Sequence, residues 1–184
     1  LASTPSDAIR RSDAERNRER ILSAARIALA DAAGEVSMAE VARRAGVGMA
    51  TVYRNFAGRR ELLEALYAEE VDELCRAAAE AEGPAGDALR GWLRRFVVFH
   101  ESKHPIAAEL LRHTDRADPV FGSSRQRVLA AGRPLLEAAQ EAREARADLS
   151  LDQVLDLVLA VSAVPGDRDY VEPILRAALD GLRG

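Results

Sequence analysis

SMAEVARRAGVGMATVYRNF, residues 37–56, holds two short helical patterns joined by a glycine-bearing turn. Ser37 followed by Glu40 is the spacing of a capping box, in which the hydroxyl accepts from the backbone N–H three residues on and the carboxylate reaches back. A helix is predicted to start there. Met38, Val41, Ala42 and Ala45 recur on one face at helical spacing, with Arg43 and Arg44 pointing elsewhere. Gly46 follows the last apolar residue, where positive φ ends a helix at least cost. Val47 offers an apolar plug for the turn, and Gly48 opens a second helix over residues 49–56. That helix buries Val52 and Phe56 and turns Met49, Ala50, Thr51, Tyr53, Arg54 and Asn55 outward. Such a pair is the pattern of a helix-turn-helix, and small, hydroxyl, guanidinium and amide groups on one face suit a surface pressed into a DNA groove.

An ordinary helical hairpin with solvated arginines would share this pattern. Charge separates the two. Residues 37–60 carry Arg43, Arg44, Arg54, Arg59 and Arg60 against Glu40, a local balance of +4 in a chain of net charge −4. An acidic protein with one basic patch has a localised anionic partner. Met49, Ala50 and Arg54 are the candidates for base edges, since an arginine on guanine is the commonest specific contact.

With ILSAA ahead of it and VARRAG between, the run GVGMATVYRNFAGRRELL resembles the DNA-binding domain of the TetR family of transcriptional regulators. Ile21, Leu22, Ala24, Ala25, Ala45, Gly46, Thr51, Val52, Tyr53 and Phe56 match that family's pattern. The resemblance is strong over residues 16–70 and weaker beyond. It implies phosphate contacts from Ser37, Thr51, Tyr53, Asn55 and Arg59, which would fix register rather than sequence. It also implies a dimer built on the last two long helices. Gly48 departs from the usual serine or threonine cap, Ala50 stands where glycine is common, and Arg59 replaces lysine with a planar fork. The segment 29–34 is one residue longer than typical.

Nearly half of the 184 residues are apolar and only 4% aromatic, with alanine, leucine, glutamate and arginine abundant, which favours an all-α protein. The single cysteine, Cys75, excludes an intrachain disulfide and fits a reducing cytoplasm; its helical spacing with Val71 and Leu74 reads as a small buried hydrophobe. No run approaches the ~20 apolar residues of a membrane span, and no signal peptide is visible. Residues 1–11 read as a mobile arm, with Arg10 and Arg11 either solvated or reaching a minor groove. Ser12 with Glu15 predicts a first helix from Asp13.

A helix-turn-helix domain is therefore assigned to residues 12–60, and a helical effector-binding and dimerisation domain to 61–184, with the helix 61–82 linking them. Residues 67–184 carry 15 basic and 21 acidic side chains, which excludes a second nucleic-acid surface there. Further helices are predicted over 87–103, ended by Pro105, then over 106–113, over 123–146 with an interruption and kink at Gly132 and Pro134, over 151–164, and through Leu182. The surplus apolar surface of the last two points to a second copy of the chain.

The segment HESKH, residues 100–104, matches the H-E-x-x-H pattern of zinc peptidases. A helix ending at Pro105 and the lack of a third ligand other than His113 argue against a metal; no metal, no cofactor and no catalytic residue is assigned. Trp92, Phe96, Phe99, His100, His113 and Phe121 are the candidates for a mostly apolar effector site, because the few aromatics concentrate there beside two histidines. The expected molecule is a cytoplasmic homodimer, most simply a repressor, that leaves a palindromic double-stranded operator when a small-molecule effector binds. A zinc hydrolase and a constitutive DNA-binding protein are the alternatives.

Overall fold

The computed structural model describes residues 5–31, 37–112 and 118–184, and for 5–12 and 102–105 it describes the backbone alone. Among the described residues the chain is all helical: α1 (Pro5–Asp31), α2 (Met38–Ala45), α3 (Met49–Asn55), α4 (Arg59–Ala79), α5 (Ala85–Leu110), α6 (Pro119–Glu141), α7 (Leu151–Ser162) and α8 (Arg168–Asp180). Two compact units result, one of Leu1–Tyr67 with Pro105–Asp115, the other of Ala68–His104 with Arg116–Gly184.

In the first unit α1 packs against α2 and α3. Small residues set the approach: Ala24, Ala25 and Ala28 of α1 and Ala42 and Ala45 of α2 are all buried. Ile21, Leu22, Val41, Val52, Phe56 and Leu66 fill the space between, each 2% exposed or less. Burial of such side chains contributes about 1.5–3 kcal/mol apiece. A seven-residue helix like α3 is too short to stand alone in water, so Val52 and Phe56 hold it in place.

In the second unit Trp92 of α5 is the largest fully buried side chain, and its Nε1 donates to the Leu74 carbonyl at 3.1 Å. Gly132 of α6 lies under the indole, where an added Cβ would stand 2.2 Å from the ring. Ser150 and Gln153 form a complete capping box at the start of α7, which packs on α6 and α8.

Several expected boundaries move. Helix α1 starts at Pro5 rather than Asp13; Ser12 lies within it, since a capping sequence permits a start without imposing one, and proline is tolerated in a first turn. Pro105 does not end its helix. The two expected helices 87–103 and 106–113 are one, α5, whose last turn buries Ile106, Glu109 and Leu110 and so offsets the hydrogen bond that proline removes. Helix α6 likewise runs unbroken past Gly132 and Pro134. It starts at Pro119, with Asp118 accepting from the Val120 N–H at 3.0 Å, and ends at Glu141 rather than near Arg146. The expected extra residue in the segment 29–34 falls partly outside the described residues.

Candidate nucleic-acid interface

The Ser37 hydroxyl accepts from the Glu40 N–H at 3.1 Å and starts α2. Only that half of the predicted capping box forms, because the Glu40 carboxylate is engaged by Arg43 at 2.6 and 2.8 Å and by Arg44 at 2.6 Å. Bonds from Arg43, then from Arg44, hold the Glu40 carboxyl down at about 2. Gly46 ends α2 with φ 64°, and the Val47 N–H donates to the Ala42 carbonyl at 3.1 Å. A side chain at Gly46 would be strained by this backbone and would meet the Arg20 guanidinium.

Helix α3 presents Met49, Ala50, Tyr53 and Arg54 to solvent; Tyr53 is 51% exposed. Thr51 and Asn55 are half-buried, with the Asn55 amide donating to the Thr51 carbonyl at 2.8 Å. Gly48 precedes the helix without a side-chain cap. The five arginines counted in the basic patch are not equivalent. Arg43 and Arg44 share Glu40, Arg44 also reaches Asp31, Arg60 pairs with Glu64, and Arg59 pairs with Glu109 at 2.7 Å. Arg54 donates instead to the neutral Thr51 hydroxyl at 3.0 Å, within the exposed face.

Two supporting residues escaped the sequence reading. Arg18 of α1 lies 4.5 Å over the Phe56 ring and donates to the Asn55 carbonyl at 3.5 Å, while Arg20 donates to the Gly46 carbonyl at 3.4 Å. Both clamp helix ends whose carbonyls lack intrahelical partners. They sit 26 or more residues from what they hold, so no local pattern marks them.

In the second unit Trp92, Phe96 and Phe99 form a row along α5, with ring centroids 6.2 and 6.1 Å apart, and all three are buried. His100 continues the row, half-buried with Nδ1 enclosed, and Phe121 of α6 is half-buried. His113 and the His104 side chain lie outside the described residues. The expectation that Pro105 would separate the HESKH histidines from further helix does not hold; among the described residues, nevertheless, no group of three or more His, Cys, Asp or Glu is placed to hold a metal ion. An opening of about 390 Å³ adjoins a neighbouring face of α5, with Val97, Val98, Val171 and Leu175 as apolar walls and Arg94 bonded to Glu172 at 2.7 Å at its edge. Smaller grooves of about 250 and 220 Å³ touch Trp92 and Phe99 respectively. Cys75 is half-buried and its Sγ lies 3.7 Å from the Arg127 carbonyl; burial pushes the thiol up, away from the reactive thiolate.

Comparison with known proteins agrees with this architecture. Residues 21–66 match the family described as bacterial regulatory proteins of the tetR family, and residues 83–184 match the C-terminal domain described as transcriptional regulator SbtR-like. A TetR transcription regulatory protein from Mycobacterium vanbaalenii is 32% identical, with a TM-score of 0.77 over 95% of this chain and 99% of that one. A TetR transcriptional regulator from Streptomyces coelicolor is 37% identical, with a TM-score of 0.72 over 90% and 98% of the two chains. The HTH-type transcriptional repressor LfrR of Mycolicibacterium smegmatis is 39% identical over 92 residues, which are 50% of this chain and about half of the relative (48%). No described helix is long and apolar enough to cross a membrane. A helix-turn-helix matched over residues 21–66 and a regulatory helical domain matched over residues 83–184 identify the chain as a member of the TetR family of transcriptional regulators, not an enzyme.

Proposed function

We propose that the chain is a ligand-responsive repressor whose division of labour falls near residues 60 and 61, with α4 linking the two parts. The exposed face of α3 carries this reading: Val52 and Phe56 anchor the helix while Arg54, bonded to a neutral hydroxyl, can exchange that bond for a guanine edge. Met49 and Ala50 complete the base-reading set. Ser37, Thr51, Tyr53, Asn55 and Arg59 supply phosphate contacts. Footprinting of the DNA upstream of the protein's own gene tests this. A roughly palindromic site should be protected, and Arg54→Ala should relax base preference at a symmetric pair of positions, with a loss of about 1–3 kcal/mol in discrimination. Uniform weakening across all sequences would remove Arg54 from the base-reading set.

The functional unit is a homodimer, supported by apolar side chains left over on the last two helices: Leu157 of α7 and Tyr170 of α8 are exposed and Ile174 is half-buried. Leu175 is already buried within the subunit, so a charge there would disturb folding as well. Leu157→Glu is the cleaner probe, and should shift sedimentation towards monomer and weaken operator binding together. A folded wild-type monomer would overturn the dimer.

The effector site lies along Trp92, Phe96, Phe99, His100 and Phe121, His113 being outside the described residues, and binding there displaces α4. Because the aromatic row is closed here, the effector must favour an opened state through differential affinity. A ligand that releases operator DNA should change Trp92 fluorescence and lose potency in Phe96→Ala and His100→Ala. A ligand whose effect survives both but fails in Val98→Trp would occupy the 390 Å³ groove instead.

A further inference from the structure

Glu109 is the one acidic or basic residue among the described residues that is buried. It sits in the last turn of α5, within the first compact unit, and its Oε1 accepts from Arg59 at 2.7 Å. Its other oxygen, Oε2, accepts from Arg112 at 3.3 Å. Arg59 is the first residue of α4, two residues beyond the exit of the recognition helix at Phe56–Ala57, and its side chain keeps 18% exposure. Beside it, the Gly58 position faces open space.

From this arrangement we infer that Glu109 and DNA phosphate are alternative partners for Arg59, so that Glu109 sets how much positive charge the recognition unit offers to DNA. The inference rests on Arg59 being a phosphate contact. A buried carboxylate stripped of its cation is strongly destabilising, which would normally lock such a pair. Here the carboxylate bridges two guanidiniums. When Arg59 turns outward, Arg112, whose side chain is 63% exposed and lies one helical turn away, still offsets the charge on Glu109. Arg59 in turn exchanges one charge-assisted bond for another of the same kind. Each binding event therefore carries the cost of separating Arg59 from Glu109, and removal of the Glu109 charge removes that cost.

The test uses the full chain and a random-sequence duplex of about 30 bp, because phosphate contacts are sequence-independent and appear in the salt dependence. Glu109→Gln should bind this duplex roughly threefold to tenfold more tightly than wild type at one salt concentration. Arg59→Ala should bind more weakly and lower the slope of log K against log salt by about 0.9. In the double variant, Glu109→Gln should confer no tightening, since the cation it releases is absent. A Glu109→Gln variant that binds more weakly than wild type, or tightens binding equally in both backgrounds, overturns the competition. A second measurement needs no Glu109 variant: the Arg59 Nε–H resonance of wild type, assigned by its loss in Arg59→Lys, should shift as duplex saturates the protein. An unmoved resonance in a saturated complex also overturns it. Should wild type fail to bind the duplex even at low salt, the phosphate-contact reading itself falls, a result distinct from binding without competition.

Discussion

The recognition unit and the proposed effector unit are held by different kinds of information. In α2 and α3 the decisive interactions are short in sequence: Ser37 to Glu40, Gly46 at the turn, Val52 and Phe56 one turn apart. In α5 and α6 they are long. Trp92 bonds to Leu74 and packs on Gly132, and α6 continues past Pro134. A surface that must present fixed side chains to a rigid partner gains from strict local stops. A domain proposed to admit a ligand can let packing decide, and packing there overrides Pro134.

The sharpest test of that contrast compares two glycines of the effector unit. Gly132→Ala should destabilise by about 2 kcal/mol, since a methyl group there collides with the buried Trp92 ring and the overpacking outweighs the gain in helix propensity. Gly91→Ala on α5 meets nothing within 4 Å and should stabilise by about 0.5–1 kcal/mol. Urea unfolding followed by Trp92 fluorescence measures both. Equal effects would show that propensity, not packing, governs this unit. Next in size, Pro105→Ala should raise stability by about 1–2 kcal/mol, because a backbone N–H returns to a helix that already runs through the position. A loss of helix content by circular dichroism would instead mean that the proline is needed there.

Within the recognition unit, Ser37→Ala should cost about 1 kcal/mol by removing the cap on α2. Gly48→Ser should gain a few tenths, since the extended backbone at Gly48 accepts any residue and nothing lies within 4 Å of its Cβ. If both changes were silent in thermal unfolding, local caps would not be what fixes this unit.

Separation along the chain, within either unit, decides what the sequence makes legible. The all-α class follows from composition and the two helices around Gly46 from spacing and turn chemistry, and the described residues have both; of the expected outward face of α3, Met49, Ala50, Tyr53 and Arg54 are exposed while Thr51 and Asn55 are half-buried. Missed are the elements whose cause lies far along the chain. Glu109 holds Arg59 across 50 residues and Arg18 covers Phe56 across 38, while the helix stop expected at Pro105 is cancelled by buried neighbours. The basic patch is legible as a count; its distribution is not, because Asp31, Glu64 and Glu109 lie outside residues 37–60.

The smallest effect concerns acid. Glu40 in the recognition unit serves two arginines and is held at about 2, whereas Asp148, in the loop before α7, is lowered first by its bond to Arg146. Both carboxyls are depressed in the folded state. Their stabilisation is therefore fully present above the ordinary carboxylate value, 4.5 for Glu40, and is lost as pH falls through that value towards the folded one. Asp148 is exposed and Glu40 half-buried at the surface, so solvent screens each contribution and the change in thermal midpoint should be slight. Site-resolved carboxyl NMR can still separate them. Glu40 should titrate near 2 in wild type and move upward in stages as Arg43→Gln and then Arg43→Gln with Arg44→Gln remove its donors, while Asp148 should respond to Arg146→Gln in one step. A Glu40 carboxyl that stayed low after both substitutions would mean that its charge is held by the α2 N-terminus, and that the local arginines leave Arg54 less distinct within the basic patch than their pairing implies.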